Sequence, residues 1–294
     1  MITAFAALHH ADAPLLLPNA WDHGSAATLA AQGFTAIGTT SLGVAAAAGL
    51  PDGCAATRDA TLALALALGN GPFLLSVDAE GGFSDDPDDV AGTARELAAV
   101  GAAGINLEDG RADGSLAPAE LHAAKIAAVK AEVPGLFVNA RTDTHWNARA
   151  HTGSSTPGDT RRPGGGDGRE TIRRLDLYQQ AGADAVFVPG LSDPSRIAAL
   201  VKATDVPLNI LYSPAGPAVP ALADLGVRRI SLGSLLYRRA LEAASETAAL
   251  VRAGLPVEGT APTYDEVQAL AGHRHGRRRG FGSGETVPPE GASW

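Results

Sequence analysis

The sequence predicts an α/β protein of the (β/α)8 barrel class, the TIM barrel. Strand and helix signals alternate along the chain, and such alternation indicates parallel strands joined by helical crossovers. Four segments also repeat one order of features: the end of a helix, a glycine, two or three further residues, a strand and a polar tip. The glycines of these repeats are Gly33, Gly101, Gly182 and Gly226.

The number of predicted strands favours a closed barrel. Eight strands can be counted, and eight is the number that closes a barrel of this type. Their ends are Leu17, Thr39, Val77, Leu107, Val138, Val188, Ile210 and Leu232. An open doubly wound sheet would also fit the alternation, but the first strand is not followed by a glycine-rich dinucleotide-binding fingerprint.

The predicted helices lie between these strands. Several begin with Asp or Ser followed by Pro, a pattern typical of helix N-termini. The predicted ranges are 25–32, 59–68, 87–100, 118–132, 170–180, 194–204, 217–225 and 234–253.

Two regions depart from this regular order. We assign residues 1–253 to one barrel domain and residues 254–294 to a C-terminal extension that is partly disordered. Within the barrel, residues 151–169 form a Gly- and Pro-rich loop that is too long for an ordinary connection between a strand and a helix. This loop is interpreted as either a mobile lid or a disordered insertion.

Composition limits the classes of partner. The 23 basic and 32 acidic residues give a net charge of −9, which disfavours nucleic acid or an anionic membrane as the main partner. The single cysteine, Cys54, excludes an internal disulfide framework, favours a reducing compartment and is expected to be a small packed residue. The N-terminus lacks the features of a signal peptide, and the apolar run at 62–68 is too short to span a bilayer. The expectation is a soluble, cytoplasmic protein.

The stretch around Asp78 and Glu80 carries the strongest chemical signal. Residues 73–83 read FLLSVDAEGGF, so that a buried strand delivers two carboxylates into a turn containing two glycines. Residues two positions apart in an extended chain point to the same side. The alternatives are a site for a hard cation and a solvated acidic turn.

The other strands also end in polar residues, which would meet at one face of a barrel. These residues are Thr40, Ser41, Glu108, Asp109, Asn139, Arg141, Asp143, Asn209 and Ser231. Considered singly, Thr40, Ser41, Asp109 and Ser231 could each be a helix N-cap. Considered together, the carboxylates would repel one another unless a divalent cation compensated them. Mg²⁺, with Mn²⁺ as the alternative, suits oxygen ligands, and Arg141 would pair with a substrate carboxylate.

These residues lie in motifs that resemble the isocitrate lyase and phosphoenolpyruvate mutase superfamily. The resemblance covers roughly residues 15–252. The motifs are NAWD at 19–22, TTSLG to GLPDG at 39–53, VDAEGG at 77–82, INLEDG at 105–110, NARTDT at 139–144 and VFVPG at 186–190.

The resemblance implies an assembly and a site. It implies a barrel whose last helix is exchanged between subunits of a homodimer or homotetramer. It also implies that Mg²⁺ is held, mainly through waters, by Asp78, Glu80 and Glu108. The substrate carboxylate would lie against Thr40, Ser41 and Leu42, with Arg141 opposite and Asp52 near the reacting group. We add Asn209, at the tip of the seventh strand, to the substrate site.

The loop after the fourth strand departs from the family pattern. The carbon–carbon lyases carry a Lys-(Lys/Arg)-Cys-Gly-His motif there, with the cysteine as proton donor, whereas residues 108–118 read EDGRADGSLAP. The lysine and asparagine that are usual in the phosphonopyruvate branches are absent as well. His145 and His23 follow strand tips and could supply the acid or base, and we assign this role to His145, although surface or capping roles are the alternative for both.

The sequence therefore predicts a Mg²⁺-dependent lyase or decarboxylase. Its substrate would be a small 2-oxo or 2-hydroxy (di)carboxylic acid, which would react through an enolate-like intermediate. One alternative is a phosphonopyruvate hydrolase or a phosphoenolpyruvate or carboxyphosphonoenolpyruvate mutase, and another is a barrel that binds an oxo acid without catalysis. Cleavage next to a carbonyl is favoured because it needs chiefly an electron sink, whereas phosphoryl transfer needs further cationic groups and the loop offers Arg111 alone.

Overall fold

The protein is a barrel of parallel strands surrounded by helices, as predicted. The computed structural model describes residues 2–146 and 168–271. Within these residues a single sheet of nine strands runs in the order β1-β9-β8-β7-β6-β5-β4-β3-β2. The strands are β1 Leu15–Leu17, β2 Asn19–Ala20, β3 Ala36–Thr39, β4 Leu74–Asp78, β5 Ala102–Glu108, β6 Phe137–Arg141, β7 Ala185–Phe187, β8 Leu208–Leu211 and β9 Arg229–Ser231.

The ninth strand arises because the chain forms two short strands, one on each side of Pro18, where the sequence predicts one strand that ends at Leu17. The first half, β1, pairs with β9, and the second half, β2, pairs with β3. Proline has no N–H to donate to a neighbouring strand. The carbonyl of Pro18 still accepts the N–H of Gly38 at 2.8 Å, so the two halves together bring the ends of the sheet into a nearly closed ring.

Helices follow most of the strands, close to the predicted ranges. They are α1 Ala4–Leu8, α2 His23–Ala31, α3 Ser41–Ala48, α4 Arg58–Leu68, α5 Pro87–Ala99, α6 Ala119–Glu132, α7 Gly168–Gln180, α8 Pro194–Ala203, α9 Val219–Asp224, α10 Leu235–Arg252 and α11 Tyr264–Leu270. Three of them, α1, α3 and α11, were not predicted. In α3 the run SLGVAAAA is apolar on every side, so it has no amphipathic period to detect.

Helix α1 covers the amino ends of the strands. Phe5 packs with Phe137, Ala36 and Ala185, which are the first residues of β6, β3 and β7. The ring of His9 stacks on Phe137 at 4.2 Å between centroids. This packing closes the end of the barrel opposite to the carboxyl ends of the strands, where the candidate site lies.

Three further predictions concern the loop at 151–169, the C-terminal tail and Cys54. Most of the predicted loop, 151–167, and the tail 272–294 lie outside the described residues, whereas Gly168 and Arg169 already belong to α7. Among the described residues, no helix combines the length and apolar character needed to cross a membrane. Cys54, expected to be packed, is exposed, because it lies in the loop before α4.

Candidate active site

Asp78 and Glu80 lie at the carboxyl end of β4, where the sequence predicts the centre of the site. The backbone N–H of Asp78 donates to Oγ1 of Thr39 at 2.9 Å, and its Oδ2 accepts the N–H of Ser41 at 3.1 Å. Its Oδ1 is buried and has no hydrogen-bond partner within the described part of the chain. A buried carboxylate oxygen in this state carries a desolvation penalty, which a bound cation would offset.

Glu80 is held in the turn after β4. Its φ of 47° lies in the left-handed region, which is uncommon for a residue with a side chain. Its carboxylate accepts the N–H of Ala55 at 3.1 Å and the hydroxyl of Thr57. Burial raises the pKa of Glu80 despite these hydrogen bonds, and the charges of Asp52 and Asp78 raise it further. Asp78 and Glu80 therefore both bind the segment between β3 and α4.

Glu108, Arg141 and Asp143 form a buried ion-pair cluster at the ends of β5 and β6. Glu108 and Arg141 face each other in the register of these strands, and Oε2 of Glu108 lies 2.5 Å from Nη1 of Arg141. Asp143 accepts from Nε of Arg141 at 2.6 Å and from Nη2 at 2.8 Å. Because the Nε–Nη2 edge is occupied, a substrate carboxylate would have to use the remaining N–H groups of Nη1 and Nη2.

The pKa values of Glu108, Asp143 and Arg141 are all raised above their usual ranges. Burial raises the pKa of Glu108 well above its usual range, although Arg141 opposes the shift. Burial also raises the pKa of Asp143 against the same guanidinium. Burial alone would lower the pKa of Arg141, but Asp143 and Glu108 outweigh it and raise this pKa. Arg141 is thus a fixed positive charge among an excess of carboxylates.

Asp52 and the beginning of α3 lie beside Asp78. The pKa of Asp52 is raised by partial burial of its carboxylate and by repulsion from Asp78, against a hydrogen bond from the Ser41 side chain, although the residue as a whole is exposed. Ser41 therefore contacts Asp78 through its backbone and Asp52 through its side chain. Thr40 beside it is buried and Leu42 is 36% exposed.

Two predicted site residues have different surroundings. Asn209 is fully buried and donates from Nδ2 to Oγ of Ser231 at 3.1 Å in the barrel interior. His145 is also buried, and its Nε2 lies 3.2 Å from Oγ1 of Thr171 on α7. Their described contacts are thus with the barrel interior and with α7. A substrate-binding role for Asn209 and a catalytic role for His145 stay predictions.

Asp109 connects the end of β6 to α7, a role that the sequence analysis missed. It is fully buried, and its carboxylate accepts the N–H of Asp143 at 2.9 Å, Nη1 of Arg174 at 2.9 Å and the hydroxyl of Tyr178 at 2.6 Å. These partners replace the helix-cap role that the sequence suggested. The available signal was the spacing of Arg174 and Tyr178, since residues four positions apart lie on one face of a helix.

Arg229 is the other residue that the sequence analysis missed. It is fully buried in the barrel interior, where it donates to Ser231 at 3.1 Å, to Asn106 at 3.1 Å and to Ser76 at 3.4 Å. Burial lowers the pKa of Arg229 to about 9, and the charge of Asp78 opposes this shift. Ser231 is thus a partner of Arg229 and not a helix cap.

The acidic residues fit a hard divalent cation that is bound partly through water. No group of three described side chains is already arranged around a metal position. Asp78 nevertheless offers a buried oxygen that has no partner among the described residues, and Glu80 and Glu108 lie on the same turn and on the neighbouring strand. Carboxylate oxygens are the ligands that Mg²⁺ and Mn²⁺ prefer, and Mg²⁺ usually keeps several waters.

Comparisons with known proteins show what the chain is similar to. A family model described as phosphoenolpyruvate phosphomutase matches residues 5–252. An uncharacterised protein of Mycobacterium tuberculosis is 44% identical over 266 residues, which cover 90% of this chain and 95% of that protein. A 2-methylisocitrate lyase of Bacillus subtilis is 33% identical over 204 residues, which cover 66% of this chain and 61% of that enzyme.

Solved structures share the fold. One is a protein of Burkholderia cenocepacia that is provisionally named a phosphonomutase. It is 36% identical to this chain with a TM-score of 0.72, and the match covers 84% of this chain and 97% of that one. A phosphonopyruvate hydrolase in complex with oxalate and Mg²⁺ is 24% identical, has a TM-score of 0.75, and the match covers 92% and 94% of the two chains. Among the matches above 30% identity, the names thus include both a 2-methylisocitrate lyase and a provisionally named phosphonomutase.

Proposed function

This chain belongs to the phosphoenolpyruvate phosphomutase family, and we propose that it is a Mg²⁺-dependent lyase or decarboxylase of a small 2-oxo or 2-hydroxy (di)carboxylic acid. The reaction would pass through an enolate-like intermediate. The observation that carries this proposal is the buried Oδ1 of Asp78, which has no partner in the described part of the chain. The charge of Asp78 acts on the acidic groups of Glu80 and Glu108 and on the guanidinium of Arg141. Such a set combines a place for a cation with a fixed positive charge for an anionic substrate.

Different residues would bind the cation and the substrate. Asp78, Glu80 and Glu108 would hold the cation, which would supply a Lewis acid for the oxygen on C2 of the substrate. The free N–H groups of Arg141 would bind a carboxylate of the substrate, and the segment at Thr40 and Ser41 would bind it from the other side. Negative charge that develops on the C2 oxygen would then be stabilised in a largely buried site.

His145, to which the sequence analysis assigns the acid or base role, is buried against Thr171 of α7. We therefore propose Asp52 as the group that returns a proton to the intermediate. Its pKa is raised by partial burial and by the neighbouring charge of Asp78, so it holds a proton at a higher pH than an ordinary aspartate. It is exposed and can exchange that proton with solvent. This assignment gives the reaction an acid although the loop after β5 lacks the Lys, Cys and His of the lyase motif.

The surroundings of Arg111 favour carbon–carbon cleavage over phosphoryl transfer. Arg111 is the cation of the loop after β5, and its Nη2 donates to Oδ2 of Asp85 at 2.8 Å. Lys125 donates to the same carboxylate at 3.2 Å. A shifting phosphoryl group needs dedicated cationic donors, and these two are already engaged by Asp85.

The deciding experiment measures turnover of several acids by the purified protein with Mg²⁺. Oxaloacetate, a substituted malate and phosphonopyruvate would be compared, against Mg²⁺ in buffer and against Glu80→Gln. Pyruvate release would be followed for all three acids, and the loss of phosphonopyruvate would be followed as well, because a mutase would consume it without releasing pyruvate. We expect cleavage of a carboxylic acid above both backgrounds. Turnover of phosphonopyruvate alone would support the alternative phosphonate chemistry, and thermal stabilisation without product would support a binding protein that has lost catalysis.

A further inference from the structure

Helix α7 reaches the candidate site through a buried carboxylate. Tyr178 and Arg174, on the inward face of α7, donate to Oδ2 of Asp109 at 2.6 and 2.9 Å. The other oxygen of Asp109 accepts the backbone N–H of Asp143 at 2.9 Å. One aspartate therefore joins α7 to the end of β6.

Asp143 in turn binds Arg141 through its carboxylate. Its two oxygens accept from Nε and Nη2 of Arg141 at 2.6 and 2.8 Å, so the plane of the guanidinium follows the position of the Asp143 carboxylate. In this orientation Nη1 of Arg141 lies 2.5 Å from Oε2 of Glu108. A shift of Asp143 would therefore move the guanidinium relative to Glu108.

Further contacts tie α7 to the same segment. Thr171 lies 2.9 Å from Oγ1 of Thr144 and 3.2 Å from Nε2 of His145. Arg174 also donates to the carbonyl of Ala117 at 2.8 Å, which fixes the end of the loop after β5. Helix α7 thus contacts Thr144 and His145 directly and reaches Asp143 through Asp109.

Buried polar networks of this kind stabilise a fold weakly, because desolvation offsets the gain from each charge pair. At a binding site, such a network usually fixes the orientation of the side chain that contacts the ligand. Asp109, Arg174 and Tyr178 are buried. Arg174 and Tyr178 donate to Asp109, and Asp109 accepts the backbone N–H of Asp143, the residue that clamps Arg141.

We propose that Asp109, Arg174 and Tyr178 are positioning residues for Arg141, and that they hold its guanidinium in the orientation that binds the substrate carboxylate. The second part rests on the proposed function, whereas the orientation itself does not. Loss of the Tyr178 hydroxyl or of the Asp109 charge would loosen Asp143, then Arg141, without removing any group that touches the substrate.

The test compares Tyr178→Phe and Asp109→Asn with a matched control, Asp184→Asn. Asp184 also accepts a backbone N–H of β6, that of Val138 at 2.8 Å, and a cation, Lys130 at 2.8 Å, but at the amino end of the strand. For an acid that the wild type cleaves, we expect KM to rise about tenfold in the first two variants with kcat changed far less, because the lost interaction acts on substrate binding. The control should match the wild type.

A second readout needs no substrate. The guanidinium of Arg141 lies 6.0 Å from the ring of Trp146, so Trp146 emission reports on it when Trp21 and Trp294 are replaced by Phe. We expect the emission to shift in Tyr178→Phe and Asp109→Asn, and not in Asp184→Asn. A shift without turnover of any acid would retain the positioning role and refute the proposed function. Unchanged KM and unchanged emission in Tyr178→Phe would overturn the inference, even if Asp109→Asn failed to fold.

Discussion

The guanidinium of Arg229 donates from Nη2 to Oδ1 of Asn106 at 3.1 Å in the interior of the barrel. Asn106 also accepts Nδ2 of Asn139 at 2.8 Å, so one amide oxygen joins β9, β5 and β6. The hydrogen-bond partners of Arg229 among the described residues are neutral, and its Nη1 has none. The barrel thus carries a positive charge beneath the acidic residues of the candidate site, where branched apolar side chains are usual.

The first prediction concerns the stability cost of this buried charge. Replacing Arg229 by Met should raise the free energy of unfolding by about 1–3 kcal/mol, because an uncompensated charge leaves the interior and Asn106 keeps its bond from Asn139. Urea unfolding of both proteins measures the difference. Arg228→Met, at the neighbouring and exposed arginine, is the control and should change stability by less than about 0.5 kcal/mol. A loss of stability in Arg229→Met would show that the carboxylates above it compensate the charge.

The second prediction concerns Asp78 as a metal ligand. Without metal, Asp78→Asn should be as stable as the wild type or slightly more stable, because the charge of Asp78 raises the pKa of Asp52, Glu80 and Glu108 by repulsion. Mg²⁺ should raise the Tm of the wild type and leave that of the variant almost unchanged. Thermal unfolding with and without Mg²⁺ measures both effects. The control is Asp59→Asn, at an exposed carboxylate, and equal stabilisation of Asp78→Asn would remove this residue from the metal site.

The third prediction concerns His9 at the amino end of the barrel. Burial lowers its pKa from 6.5 to about 3, with a smaller contribution from Arg229. Between these values the unfolded chain binds a proton that the folded protein does not, so stability falls as the pH falls from 6.5 towards 3. From pH 7 to pH 5, His9 should account for a loss of about 2 kcal/mol.

Unfolding of His9→Phe at both pH values tests this effect, because Phe keeps the stacking on Phe137 but cannot titrate. The variant should lose about 2 kcal/mol less than the wild type over this range. Parallel slopes for the wild type and His9→Phe would mean that His9 gains its proton in the folded protein as readily as in the unfolded chain.

The sequence predicted the barrel because its signals are local. The glycines after helices and the alternation of strands and helices act over a few residues, so they can be read without knowledge of contacts. The same holds for Asp78, Glu80, Glu108 and Arg141, which stand at strand ends that any closed barrel brings to one face.

The residues that local reasoning missed are held by distant partners. Asp109 meets Arg174 over a separation of 65 residues, and Arg229 meets Ser76 over 153. Nothing near Arg229 in the sequence distinguishes it from the exposed Arg228, since alternation along a strand does not say which face holds a charge. The second short strand, β2, was missed for a different reason, because the apolar run that predicts the first strand ends at Leu17 and Pro18 follows it.

The last prediction concerns helix α10 and a second copy of the chain. None of the residues of α10 is buried, although Leu241, Ala244, Ala248 and Val251 recur at the three- and four-residue spacing of an apolar helix face. Leu241 and Val251 are 53% and 63% exposed. We propose that a second copy of this chain covers this face in a homodimer or homotetramer, as the family resemblance implies for the last helix of the barrel.

Sedimentation velocity should therefore give at least twice the chain mass of 29.7 kDa for the wild type. Leu241→Glu should shift the protein towards the monomer, because a carboxylate would be buried in the interface without a partner. Leu66→Glu is the matched control, since Leu66 on α4 is 62% exposed and lies on a helix for which no partner is proposed. A monomeric wild type would refute the proposal, and an unchanged oligomer in Leu241→Glu would place the interface on another surface.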